Sequence, residues 1–203
     1  MIKRHGKGEV MRRTAAETRE HILKVAHELF YWHGIRAVGI DKVAAEAGIA
    51  PTTLYRIFAA KDDLIAAYVD RSHDSSVAKF TEAADKAGPD PKDQLLAMFD
   101  SLIEQMNPAE FRGCACMMTL AEFPDPELPA HQKAIASKTW VRGRIGELTA
   151  RIEGVEDPEK LADQLVLIWE GANASAQALG VGGPAKHTRE FAETTITAAI
   201  GNR

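Results

Sequence analysis

Residues Ile40–Ile57, IDKVAAEAGIAPTTLYRI, read as two short helices joined by a tight turn. With Ile40 as the first position of a helix-turn-helix unit, Ala44 falls fifth, where two crossing helices leave room only for a small side chain. Gly48 falls ninth, where the turn needs a residue that tolerates positive φ. Val43, Ala47, Ile49, Leu54 and Ile57 take the remaining inward positions, so the apolar pattern crosses the turn and clamps the second helix onto the first. Pro51 suits the first turn of that second helix, because its missing N–H would have no intrahelical partner there and its φ is preset. An ordinary helical hairpin with a glycine turn could share these features, and the flanking residues decide between the two.

On the N-terminal side, Ile22, Val25, Ala26, Leu29 and Phe30 recur at helical spacing and Gly34 stops the run. Thr14-Ala15-Ala16-Glu17 is a capping-box pattern that starts this helix. On the C-terminal side come Leu54-Tyr55-x-x-Phe58, then Lys61 and Leu64 opening a further helix. Taken together, Ile22–Tyr68 resembles the DNA-binding domain of the TetR family of transcriptional regulators along its whole length. The resemblance is carried by Ala26, Leu29, Phe30, Gly34, Val43-Ala44-x-x-Ala47-Gly48, Leu54-Tyr55-x-x-Phe58, Lys61 and Leu64. It implies an all-α protein: a three-helix DNA-binding head, and a helical C-terminal part that binds a small-molecule effector and dimerises. It also implies that Tyr55 and Lys61 hold DNA phosphates while the short third helix contacts bases. One departure is Gly39, at the position where the family usually has a Ser or Thr that caps the second helix and touches phosphate. A glycine caps less well, through its backbone.

Side-chain direction within the motif agrees with that role. With Leu54 and Ile57 inward, Thr52, Thr53 and Arg56 face out, where hydroxyls and a guanidinium can reach base edges or phosphates in a major groove. About three polar side chains give one subunit weak readout, so specific recognition calls for two copies on a palindromic duplex operator.

Charge is distributed to match. Through Lys61 there are 11 Lys/Arg against 6 Asp/Glu, giving +5, while residues 62–203 carry 14 against 23, giving −9. A basic head attracts phosphate and an acidic remainder is repelled by it, which orients the approach to DNA. At 45% apolar and 27% charged residues the composition is that of an ordinary globular protein. No run approaches the roughly 18 apolar residues of a membrane span, and MIKRHGKGEVMRR has no apolar stretch after its basic residues, so the expected location is the cytoplasm, away from membranes. Residues 1–13 read as a basic flexible arm, 14–61 as the helix-turn-helix domain and 62–203 as the effector-binding and dimerisation domain.

Beyond Leu64 a long helix is expected to Ala87, ended by Gly88-Pro89, with Asp90-Pro91 starting the next and Asn107-Pro108 breaking it. A short helix runs from the Phe111–Cys114 segment to Phe123, and three more cover about 130–152, 158–179 and 186–200. Met98, Phe99, Leu102, Met106, Phe111, Met117, Met118, Leu120 and Trp140 supply the adaptable sulfur-bearing and aromatic surface that lines pockets for apolar ligands, and the same residues could form an ordinary core. Ile145, Leu148, Leu165, Ile168, Trp169, Ala172 and Ala176 form two apolar stripes that either complete the subunit core or, as the resemblance implies, meet a second subunit across a two-fold axis.

Cys114-Ala115-Cys116 raises a further possibility, since adjacent thiols near a helix start can be reactive enough to sense oxidants or electrophiles; buried inert thiols are the plainer alternative. His21, His27 and His33 are spaced too irregularly on a helix for metal ligation. An enzyme would need a nucleophile elbow, a glycine-rich phosphate loop or a metal-spaced ligand set, and the sequence has none of these; no cofactor is expected. Repression is the family default, and no residue decides between repressor and activator.

Overall fold

The computed structural model describes residues 14–106 and 111–201. The arm expected over 1–13 and the break at Asn107-Pro108 lie outside them. Among the described residues the secondary structure is helical, apart from one isolated bridge between Val155 and Ile200. The chain divides into two compact units, Met1–Leu64 and Ile65–Arg203, with the division falling inside one continuous helix.

The first unit is built from α1 (Ala15–His33), α2 (Ile40–Glu46) and α3 (Pro51–Ile57). The capping box forms as the sequence predicts: the Glu17 amide donates to the Thr14 hydroxyl at 3.2 Å, and the Thr14 amide donates to the Glu17 carboxylate at 2.7 Å. Gly34 ends α1 with φ at 87°. Ile22, Ala26 and Phe30 from α1 are buried, as are Val43 and Ala44 from α2 and Leu54 from α3. The unit's core is completed by Ile35, Val38 and Phe58 from the connections. Full burial of a side chain such as Leu54 contributes about 1.5–3 kcal/mol, which is how a seven-residue helix too short to persist alone is held in place.

The turn between α2 and α3 takes its shape from Gly48, whose φ is +65°. Its left-handed conformation lets the Ile49 amide reach back to the Ala44 carbonyl at 3.0 Å and the Gly48 amide to that of Ala45 at 3.1 Å. From α1, the His21 ring Nε2 donates to the Ala47 carbonyl at 2.9 Å, so the last turn of α2 is satisfied by a side chain from the helix it packs on.

α4 (Lys61–Lys86) continues from the first unit into the second, which also holds α5 (Pro91–Glu104), α6 (Ala115–Glu122), α7 (Pro129–Thr149), α8 (Pro158–Leu179) and α9 (Thr188–Ala199). Asp90 caps α5 by accepting from the Lys92 amide at 2.8 Å. Trp169 of α8 sits at the centre of the core, with the Phe80 ring 4.7 Å away and the Phe99 ring 5.3 Å away, both edge-on. Around it close Leu95, Leu102, Ile145, Leu148, Leu165, Ala172, Ala176 and Ile196. α9 begins two residues later than the sequence suggests, because a 3-10 turn over Pro184–His187 precedes it.

Candidate functional site

In the first unit, α3 presents a polar outer row on a buried base. Leu54 is wholly buried and Phe58 nearly so, while Thr52, Tyr55 and Arg56 are exposed and Thr53 is half-buried. Tyr55 keeps 49% of its surface. The row can place a hydroxyl, a phenol and a guanidinium on one surface, the donors that contact phosphates and base edges. The Arg19 guanidinium lies 5.2 Å from the Phe58 ring centroid and covers the end of α3.

Lys61 has a structural bond as well as a charge. Its Nζ donates to the Ile35 carbonyl at 2.9 Å and to the Arg36 carbonyl at 3.4 Å, tying the start of α4 to the α1–α2 turn. Asp63 caps the same helix start by accepting from the Ala60 amide at 3.0 Å. Gly39 is the N-cap of α2, with no side-chain cap and only its carbonyl, which accepts from the Lys42 and Val43 amides.

The residues read as an effector pocket do not share one environment. Met98, Phe99, Leu102 and Met106 are core members with at most 5% exposure, Phe111 and Trp140 pack partly buried against that core, Met118 and Leu120 are half-buried, and Met117 is exposed. The two stripes that the sequence leaves open between subunit core and dimer interface lie within the chain's own core. Ile145, Leu148, Leu165, Trp169, Ala172 and Ala176 are all at most 5% exposed within the single chain, and Ile168 packs partly buried on the same cluster. α7 and α8 pack on each other within the chain. The outward face of α8 carries Gln164, Leu167, Gly171, Ala174 and Ala178 instead, spaced three and four apart and all exposed.

Cys114 and Cys116 lie at the start of α6 in a charged setting that the sequence did not reveal. The Lys138 Nζ of α7 is 3.3 Å from the Cys114 sulfur and 2.9 Å from each Glu170 oxygen of α8. A hydrogen bond from the Cys116 thiol, against the cost of burial and aided by the Lys138 charge and the Met117 amide, lowers the Cys114 pKa to about 5. The same shared hydrogen bond, burial and the Cys114 charge push Cys116 up, so Cys114 is the member of the pair favoured to ionise. Burial opposes the charge on Lys138, but the thiolate and the Glu170 carboxylate outweigh it and hold the ammonium above its ordinary pKa. Cys116 also meets Ser137, whose hydroxyl lies 3.0 Å from the His73 Nδ1 of α4. Lys138 is 24 residues from Cys114, and no local pattern links them. Among the described residues no set of three His, Cys, Asp or Glu side chains could hold a metal ion.

Comparison with known proteins agrees with this geometry. Residues 22–68 match the family model of bacterial regulatory proteins of the tetR family, and residues 91–192 match the tetracyclin repressor-like C-terminal domain. A TetR-family transcriptional regulator from Streptomyces coelicolor has a solved structure that superposes with a TM-score of 0.86 at 33% identity, covering 92% of this chain and 97% of that one. A putative TetR-type regulator from Streptomyces avermitilis superposes with a TM-score of 0.74 at 28% identity, covering 90% and 97%. An HTH-type transcriptional regulator of Staphylococcus aureus strain USA300 is 36% identical over 75 residues, which is 37% of this chain; the match spans 40% of that relative's length. With both domain models matched and the solved relative covered almost end to end, the chain belongs to the TetR family of helix-turn-helix, DNA-binding transcriptional regulators, which are not enzymes.

Proposed function

We propose that the chain is a ligand-responsive repressor that binds a palindromic duplex operator as a homodimer and lets go when a small, largely apolar effector binds. The outer row of α3 carries this reading: Thr52, Tyr55 and Arg56 are exposed on a helix whose opposite side is locked by Leu54. Thr53 and Lys61 flank that row. The +5 charge through Lys61 favours phosphate, and the −9 of the remainder keeps the rest of the molecule off DNA. Two heads are needed because one short helix has few base contacts, and exposed apolar side chains are available at Leu167 on the outward face of α8 and at Phe191 on α9. Effector entry is best supported near Phe111, Met118, Leu120 and Trp140, which are only partly buried at the margin of the core. Release follows if the effector favours a head spacing that does not match the operator. No described helix is long and apolar enough to cross a membrane.

Selection of duplexes from a random pool, followed by fluorescence anisotropy at several salt concentrations, tests the reading. An inverted repeat should emerge, bound with an affinity that falls steeply as salt rises. Selection of a direct repeat, a single half-site or no sequence at all would overturn the dimeric operator.

A further inference from the structure

The second unit contains a nucleophile that DNA binding does not use. Cys114 is half-buried while Cys116 keeps 5% of its surface, so Cys114 is the less covered of the pair. Cys114 is also the one that Lys138 faces, at 3.3 Å from its sulfur. Lys138 is fixed there by the Glu170 carboxylate, and being held protonated it is no competing nucleophile. On the other side of the pair, Cys116 meets Ser137 and Ser137 meets His73, so a line of polar contacts runs from α8 through α7 and α6 to α4. α6 itself is apolar, with Met117 exposed and Met118 half-buried just after the thiols.

We propose that Cys114 is the attachment site for soft electrophilic effectors, namely α,β-unsaturated carbonyl compounds, and that the adduct is the signal that lowers operator affinity. The inference rests on the regulator reading above and names its effector class. In the step, the Cys114 thiolate forms a bond to the β-carbon, the C=C electron pair moves onto the carbonyl oxygen, and the enolate takes a proton from water. No electron is lost to an oxidant. A thioether replaces a thiolate, so Lys138 keeps Glu170 but loses its second anion, and the Cys116 thiol loses the charged acceptor of its hydrogen bond. Those partners sit on α7 and α8, and the Ser137–His73 contact carries the change to α4, whose first turn belongs to the DNA-reading unit. Coupling of this kind between two sites is ordinarily worth about fivefold to 150-fold in affinity.

The full chain treated with methyl vinyl ketone at about one equivalent tests this, with intact and peptide masses read beside anisotropy on the selected operator. The expected result is a single adduct on Cys114 and operator affinity weaker by about tenfold or more. Cys114→Ser, which likewise removes the anion beside Lys138, should start with weakened operator affinity and show no further change with the ketone. Reactivity should reach half its maximum near pH 5 in the parent, and Lys138→Met should move that midpoint toward the ordinary thiol range. The groups facing the sulfur are Cys116 from α6, Lys138 from α7 and Glu170 through Lys138, with His73 reached only through Ser137. An adduct on Cys116, a response that survives Cys114→Ser, or a Cys114 adduct with unchanged affinity would each overturn the proposal. So would a chain that ignores the ketone but responds to hydrogen peroxide with a Cys114–Cys116 disulfide. If the untreated chain binds no selected duplex, the operator reading falls, while the adduct mass and the pH midpoint still decide the attachment site.

Discussion

Arg56 and Lys61 are both cations in a basic segment, yet the fold gives them different tasks. Arg56 is exposed at the end of α3, whereas the Lys61 ammonium already donates to the carbonyls of Ile35 and Arg36. Arg56→Ala should therefore weaken operator binding by about 1–3 kcal/mol and leave the urea midpoint where it was. Lys61→Met should do both, costing the fold about 1 kcal/mol through the lost charge-assisted bonds and lowering affinity by one phosphate contact. Equal urea midpoints for parent and Lys61→Met would show that the lysine does not hold the turn. Gly39 offers the reverse experiment. Its φ is an ordinary −76° and nothing lies within 4 Å of an added Cβ, so Gly39→Ser should fit without strain, cap α2 with a gain of a few tenths of a kcal/mol, and tighten binding through a new hydroxyl. Unchanged affinity in that variant would mean that the N-cap of α2 does not reach phosphate.

At the scale of elements, the turn between α2 and α3 depends on backbone conformation rather than on space. A Cβ at Gly48 would meet nothing within 4 Å, but φ is +65°. Gly48→Ala should then cost about 1–2 kcal/mol from the left-handed backbone alone, with Gly48→Asn milder, as read by thermal unfolding. A loss well beyond that range would point to crowding that the structure does not contain. This turn was legible in the sequence because everything that makes it is local: a small residue, a glycine and a proline at fixed offsets. The same holds for the Thr14–Glu17 box and the Asp90-Pro91 helix start. What was not legible is which neighbour covers an apolar stripe. Leu165, Trp169, Ala172 and Ala176 have the spacing of a helix contact, and periodicity cannot distinguish α7 of the same chain from α8 of another. The paired thiols were legible but their charged setting was not, since Lys138, Glu170 and His73 reach them only through tertiary packing.

For the whole molecule, the decisive question is what covers the outward face of α8 and α9. Leu167 is 73% exposed and Phe191 51%, so a charge at either meets water in the single chain and should leave its fold and thermal midpoint nearly unchanged. If these side chains meet their own copies across a two-fold axis, a new carboxylate on each subunit would add like-charge repulsion and desolvation worth several kcal/mol. Leu167→Glu with Phe191→Glu should thus convert a sedimenting dimer into a monomer of native helicity. On the proposed reading, in which each head binds a half-site, the same double variant should lose the inverted repeat while keeping weak, salt-sensitive binding to any duplex. Leu165→Ala is the contrast: wholly buried in the subunit's own core, it should lower unfolding stability by about 2–5 kcal/mol and leave the association constant of the folded chain unaltered. A dimer that survives both carboxylates would place the two-fold contact on some other face, and the pairing of heads on DNA would then have to be set from there.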